Sequence, residues 1–384
     1  MDTSWTVMVS TRVQFVPWED TLVKTDKVPV VVIGTGPIGK EALLGVINHP
    51  DLELVGVGVS STDKEGKDAG ELCGIAPVGV IATRDWKSLM ALRPRCMAYF
   101  ADGAMRTAEA VEDIRYALSS GINVVTTSLL GMIYPQAATE DVRGPLEQGC
   151  RDGSSTFWGT GIDPGFGTTQ FPLALLAVAD RIDAIRLYEL GDISTYPVGW
   201  IMHDVYGYGQ PMDFESPLLS TGILKDWWRG TVEEVAHAVG VTIDELTFDY
   251  DVAETKTGVE TAWGHVDPGT IGAIRFQVKA LAGDRPFVTL EHVDRVDPHA
   301  APHWRSPVEA ESISYRVEID GRPAYRAEVS FDREPGYEPG AAATAMHAVN
   351  AIPAVVAAAP GVLGFQDLPP FYGKNAHPAK VRIS

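Results

Sequence analysis

A strand-like run, Val30-Val31-Val32-Ile33, leads directly into Gly34-Thr35-Gly36-Pro37-Ile38-Gly39, and a helical pattern, Lys40-Glu41-Ala42-Leu43-Leu44-Gly45-Val46-Ile47, leads out of it. Three glycines at this spacing on a strand-to-helix turn restrict the fold severely. Gly34 permits the tight turn, Gly36 lets the backbone approach a pyrophosphate, and Gly39 allows the helix to pack closely on the strand. The helix N-terminus then offers free N–H groups and the positive end of its dipole to phosphates. Gly34, Thr35, Gly36, Pro37, Ile38 and Gly39 are therefore candidate contacts of a dinucleotide cofactor.

The flanking chain repeats the strand–helix grammar of an α/β Rossmann unit, a doubly wound parallel sheet. Candidate strands are Val28–Ile33, Leu52–Val59, Met97–Phe100, Ile122–Thr127 and Thr156–Gly159, with helices such as Gly39–Asn48 and Thr107–Ser119 between them. After Asp163-Pro164-Gly165-Phe166-Gly167 the pattern changes to longer alternating strands: Ala184–Leu190, Thr247–Glu254, Ala273–Leu281, Phe287–Arg295, Ile313–Ile319 and Ala324–Phe331. This half reads as a second α+β domain with a largely antiparallel sheet, a helix over Val198–Tyr208 and a two-residue hairpin turn at Asp320-Gly321. An Ala-rich helix, Thr344–Ala359, is expected to fold back onto the first domain. The expected organisation is an N-terminal extension (1–27) holding one alternating stretch, Thr6–Val16, a dinucleotide-binding domain (28–165 and 341–372), a substrate and dimerisation domain (166–340) and a tail (373–384).

A formal charge of −20 over 384 residues excludes a polyanion as the natural partner, since phosphate neutralisation needs clustered Lys and Arg. Neither nucleic acid nor an anionic membrane is expected. The beginning shows no basic segment before an apolar one, and the greasy run Ala351–Phe365 is broken by Pro353 and Pro360. Cys73, Cys96 and Cys150 are far apart without metal-type spacing, which fits a reduced, cytoplasmic protein.

The second strand ends at Val59-Ser60-Ser61 with no Asp or Glu for a ribose 2′-hydroxyl. Ser60 and Ser61 can bond a 2′-phosphate, and Lys64 and Lys67 can neutralise it. NADP is the expected cofactor. NAD remains open, with Asp63 on the ribose. Asp102, Thr127 and Ser128, at the exits of later strands, complete the cofactor candidates.

The motifs Gly34–Gly39, Gly66-Lys67-Asp68-Ala69-Gly70-Glu71-Leu72, Gly121-Ile122-Asn123-Val124-Val125-Thr126-Thr127 and Gly161-Ile162-Asp163-Pro164-Gly165-Phe166, with Ala345–Pro353, together resemble the dihydrodipicolinate reductase-like superfamily. Within it the chain is most similar to 2,4-diaminopentanoate dehydrogenase and the native amine dehydrogenases. The resemblance implies a Rossmann domain, a substrate domain inserted before the last helix, a homodimer, and reversible hydride transfer at a carbon bearing nitrogen. Two departures stand out. The reductases follow their Tyr188-Glu189-Leu190-like strand with two histidines and a lysine, whereas this chain continues Gly191-Asp192-Ile193-Ser194-Thr195-Tyr196. The amine dehydrogenases place an acid before a Tyr-Pro pair. Here Ser128-Leu129-Leu130-Gly131-Met132-Ile133-Tyr134-Pro135 contains none.

Hydride transfer asks of the protein an oriented, water-poor pocket and a group that gives or takes a proton. The candidates are Asp163, at the exit of the first sheet, Tyr134, and the helical cluster holding His203 and Asp204, of which His203 has the most suitable intrinsic pKa. Asp163 is equally a turn residue, Tyr134 a packed phenol and His203 a structural histidine. His265, His292, His299 and His303 show no metal spacing, so no metal is expected. The reading is an NAD(P)-dependent oxidoreductase of a small imine, amine or ketone. Its rivals are a carbonyl or enoyl reductase without amine chemistry and a nucleotide-binding sensor.

Overall fold

A computed structural model describes residues 27–196, 198–308, 313–332 and 337–376. The alternating stretch Thr6–Val16 lies outside them. In chain order the first half holds β1 (Val28–Ile33), α1 (Pro37–Asn48), β2 (Leu52–Gly58), α2 (Ala69–Leu72), β3 (Ala82–Thr83), β4 (Cys96–Tyr99), α3 (Thr107–Ser119), β5 (Asn123–Thr126), α4 (Glu140–Gly153) and β6 (Thr156–Gly159). The second half holds α5 (Phe171–Leu176), β7 (Arg181–Asp192), α6 (Pro217–Ser220), α7 (Ile223–Ala238), β8 (Glu245–Glu254), β9 (Val259–Thr261), β10 (Gly264–Val266), β11 (Ile271–Ala282), β12 (Arg285–Arg295), β13 (Ile313–Arg322) and β14 (Tyr325–Phe331). The chain then returns to the first sheet as α8 (Pro339–Ala357) and β15 (Gly361–Leu363).

The first sheet runs β15-β6-β5-β4-β1-β2-β3, parallel throughout. Strands β1, β4, β5 and β6 are almost entirely buried, as a parallel sheet covered on both faces requires. The strand order reverses between β1 and β4, so the crevice at the carboxyl ends of the strands is where a dinucleotide belongs. A dinucleotide held there would lay its adenosine half towards β2 and its nicotinamide half towards β5 and β6. One helix, α8, is long and apolar enough by composition to cross a membrane. It is a core helix here, packed against α1 and against β4, β5 and β6.

The second sheet runs β14-β13-β7-β12-β11-β8. It is antiparallel except at its centre, where β7 and β12 run parallel. One face, with Ile185, Leu187, Phe276, Val278, Leu290 and Val317, packs under α7 in the second hydrophobic core. Two local expectations are corrected. The hairpin turn does not sit at Asp320-Gly321, because β13 continues along β7 to Arg322, pairing Asp320 with Ala184 and Gly321 with Ile182. A side chain at Gly321 would meet the Arg181 carbonyl at 2.0 Å, which explains the glycine without a turn. The helix expected over Val198–Tyr208 forms but is shorter, with helical residues from 199 to 206, ended by Gly207 at φ +102°.

Candidate active site

The glycine turn has the shape its spacing implied. Gly34 sits at φ +91°, and a Cβ there would lie 2.6 Å from the Ala101 nitrogen. A Cβ on Gly39 would lie 2.2 Å from the Gly34 carbonyl oxygen. These two glycines are packing requirements. Gly36 differs, because the space in front of it is empty to 4 Å. The α1 N-terminus that follows has no side-chain cap and no acid in its first turn, leaving its N–H groups free for an anion. Residues and geometry thus fit a pyrophosphate. Gly36→Val, filling that space, is expected to weaken NADPH binding by at least about 100-fold, since a bulky side chain would displace the phosphates. Fluorescence titration of the folded variant checks this, and unchanged affinity would refute the site.

Lys64 reaches back to this turn, its Nζ donating to the Thr35 carbonyl at 2.8 Å and to Thr35 Oγ1 at 3.2 Å. Among the described residues it has no acidic partner. Ser60 is exposed at the end of β2, and its carbonyl accepts from Arg84 Nε at 3.1 Å. Arg84 is thus a second cation at this end of β2, 4.0 Å from Glu65. Lys67 is exposed, and its carbonyl accepts from the Ala82 nitrogen at 2.9 Å. Ser61 carries the tight turn to Lys64. At the other half of the crevice Asp102 caps a turn by accepting from the Met105 nitrogen, Thr127 follows β5, and Ser128 donates to the Ala101 carbonyl at 2.5 Å.

Asp163 sits just past the carboxyl end of β6, and its side chain is 1% exposed. It is no mere turn residue. Its Oδ1 accepts from Trp228 Nε1 of α7 at 3.0 Å and from the Thr168 hydroxyl, and its Oδ2 lies 2.7 Å from His292 Nε2. His292 Nδ1 faces Glu189 Oε1 at 3.6 Å and Asp294 Oδ2 at 3.9 Å. The ring stacks on Phe276, with centroids 4.4 Å apart, and meets Trp228 edge-on.

The second sheet's register builds this cluster. Phe276 of β11 pairs with His292 of β12, His292 with Glu189 of β7, and Glu189 with Tyr315 of β13, so four strands set one row of side chains across a single face. Burial works against charge on His292, but the carboxyls of Asp163 and Glu189 override it and hold the imidazole protonated well above its ordinary range. Burial also opposes ionisation of Asp163. The imidazolium, with hydrogen bonds from His292, Thr168 and Trp228, outweighs it and keeps this carboxyl below the usual range. Glu189 goes the other way, pushed well up by burial against the opposing pull of His292.

Asp163, Glu189 and His292 are also metal-ligand types whose donor atoms lie within 4.8 Å of one another. The 2.7 Å contact between Asp163 and His292 is that of an ion pair. Two ligands on one ion, each about 2.0–2.2 Å from it, would stand more than about 3 Å apart.

The other candidates lie elsewhere. His203 and Asp204 bond to each other at 2.7 Å with side chains 46% and 66% exposed, and neither contacts the buried cluster. Tyr134 is buried, with its hydroxyl 2.6 Å from Nδ1 of His237 on α7. His292 has no metal-type spacing, and no local motif marks Glu189 or Asp294. A signal existed: Ile185-x-Leu187-x-Glu189 and Val288-x-Leu290-x-His292-x-Asp294 place polar groups at inward positions of alternating strands.

Comparison with known proteins agrees with this architecture. An amine dehydrogenase of Streptomyces virginiae is 37% identical over 348 residues, spanning 89% of this chain and 96% of that protein. The chain belongs to the amine dehydrogenase family. Residues 170–377 match the 2,4-diaminopentanoate dehydrogenase C-terminal domain, and residues 28–128 match the N-terminus of dihydrodipicolinate reductase. A 4-hydroxy-tetrahydrodipicolinate reductase of Synechocystis sp. is 41% identical over 68 residues, 17% of this chain and 25% of that enzyme. The solved amine dehydrogenase of Mycobacterium smegmatis shares the fold, with a TM-score of 0.72 at 20% identity over 91% of this chain and 98% of that one. This member of the family is therefore an NAD(P)-dependent oxidoreductase acting on a small molecule.

Proposed function

We propose that this amine dehydrogenase family member transfers hydride reversibly between NADP(H) and the nitrogen-bearing carbon of a small, fairly apolar amine or imine. The observation that carries this reading is the buried Asp163–His292 pair with Glu189 and Asp294 beside it, at the nicotinamide half of the crevice. An imine accepts hydride efficiently as its cationic, protonated form, which a binding recess opening beside this carboxyl-rich cluster, with Trp228, Phe276 and Tyr315 packed around it, would favour. A ketone or enone develops negative charge on oxygen instead, which the same recess disfavours. The Streptomyces virginiae relative's description as an amine dehydrogenase points the same way.

Gly34, Gly36, Gly39 and the α1 N-terminus would hold the pyrophosphate, and Lys64 and Arg84 would face the 2′-phosphate. The bound nicotinamide supplies or takes up the hydride. The protein orients the carbon, excludes water through the aromatic wall, and holds the nitrogen's charge. Charge-assisted hydrogen bonds contribute about 1.5–3 kcal/mol each. Lys64→Ala is therefore expected to weaken NADPH binding roughly 10- to 100-fold with little effect on NADH. Equal losses with both cofactors would place Lys64 on the pyrophosphate and remove its role in selectivity.

The decisive experiment follows reduced-cofactor absorbance with small ketones, preformed imines and enones, with and without ammonium. Ketone turnover is expected to require ammonium, preformed imines to react without it, and His203→Ala to retain both. Ketone or enone turnover that ignores ammonium would replace this reading with a carbonyl or enoyl reductase. Tight NADPH binding without any turnover would favour the sensor.

A further inference from the structure

We propose that Glu189 delivers the proton to the reacting nitrogen in the reductive direction and takes it back in the other, in place of the acid missing between Ser128 and Pro135. This rests on the amine–imine reading above. Three observations single out Glu189 within the cluster. Asp163 has Oδ1 held by Trp228 and Thr168 and Oδ2 in ion-pair contact with His292, and its side chain is sealed from solvent. His292 is held too, clamped against Phe276 and Trp228 with Nε2 on Asp163. Glu189 is the outermost of the three, with its side chain 15% exposed.

The charge distribution agrees. Among the described residues, the titratable groups facing Glu189 are Asp163 in the turn after β6, His292 and Asp294 on β12, Tyr315 on β13, Tyr196 after β7, and Tyr206 and Tyr208 around the 199–206 helix. Burial, with Asp163 and Asp294, raises Glu189, so the exchangeable proton resides on its carboxyl while His292 and Asp163 stay charged. The four tyrosines are raised in turn and remain neutral hydroxyl donors. In the reductive direction the Glu189 O–H bond breaks and an N–H bond forms on the imine nitrogen. The new carboxylate is left 3.6 Å from the imidazolium Nδ1, which stabilises it. Solvent returns the proton after the amine leaves, and the reverse reaction runs the same transfer backwards. His292 is then a positioning residue, holding its charge between two acids.

The test compares the parent with Glu189→Gln and Glu189→Asp. Glu189→Gln is expected to lose about 100-fold in kcat/KM for reduction of a preformed imine, with NADPH affinity unchanged, because general acid catalysis is worth at least that much. The parent's reductive rate should fall as pH rises through the Glu189 titration, and Glu189→Gln should lose that limb while Glu189→Asp keeps one. Independently of turnover, infrared spectroscopy of the purified protein at neutral pH should show a protonated carboxyl band, separate from that of Glu234, that disappears in Glu189→Gln. A rate within a few fold of the parent and an unchanged pH profile would overturn the role of Glu189 while leaving the amine reading intact. Absence of the band would overturn it as well. A parent that shows the band yet turns over no imine would sink the amine reading, and this role with it.

Discussion

Asp163→Asn is expected to cost about 3 kcal/mol in denaturant unfolding, because it leaves the His292 charge buried without its contact partner. The full range for breaking a buried pair is about 3–5 kcal/mol, and Asp294, 3.9 Å from His292 Nδ1, retains part of the attraction here. Asn can still accept from Trp228 and Thr168, so the loss isolates the charge rather than the packing. The two partners fix the pH window. Asp163 is depressed, so its contribution is present above its unfolded value near about 3.9 and is lost as pH falls through its folded pKa. His292 is raised, so its contribution is complete below about 6.5 and is lost as pH rises through its folded pKa. The difference between variant and parent should therefore be greatest between about pH 4 and 6.5. Combining Asp163→Asn with His292→Gln should recover part of the stability, since a neutral pair leaves no orphaned charge. A single-variant loss below about 1 kcal/mol would show that the imidazole is neutral and that the pair is an ordinary hydrogen bond.

The second large effect concerns Glu234, which ties the two halves of the molecule together. On α7 it is 1% exposed, and its Oε1 accepts from the Phe365 nitrogen, just beyond β15, at 3.1 Å. Its Oε2 has no partner among the described residues. Burial pushes its pKa up to about 8, the bond from Phe365 opposes that, and nearby Asp367 adds to it. The native state thus holds a proton that the unfolded chain releases near about pH 4.3, and stability falls as pH rises from there to about 8. Glu234→Gln keeps the carbonyl acceptor for Phe365 and removes the titration. It is expected to match the parent near pH 5 and exceed it by about 4 kcal/mol above pH 8.5. Unfolding free energies at both pH values decide the matter. Parallel pH dependences in the two proteins would mean that Glu234 is already ionised in the fold.

What could be read in advance follows from how local each signal is. Gly34, Gly36 and Gly39 lie within six residues, so the glycine turn between β1 and α1 is written in consecutive chain. Periodicity located every strand of both main sheets except the short β3 and β15, two and three residues long, too brief to leave a period. The turn after β13 was misplaced because Asp-Gly has a second use. Gly321 is required by the close approach of the Arg181 carbonyl, and no hairpin signal separates the two cases.

The catalytic candidates divided along the same line. His203 and Asp204 drew attention because they are dense in sequence, yet their density reflects an exposed short helix. Asp163 was noticed as a turn residue at the exit of the sheet. Its partners Trp228 and His292 stand 65 and 129 positions further along, so nothing local announced the pair.

The sequence by itself determined the Rossmann half, the glycine turn at Gly34–Gly39 and the absence of an acid at Ser128–Pro135, because each depends on neighbours in the chain. The tertiary structure alone decided where charge is buried. Glu189 and His292 are alternation-breaking residues on separate strands until the parallel pairing of β7 with β12 sets them side by side, and Asp163 becomes an ion-pair partner only when β6 delivers it under that row. Strand register, not composition, turned isolated polar residues into a site, since burial makes an acid or an imidazole chemically distinctive only once its neighbours are fixed.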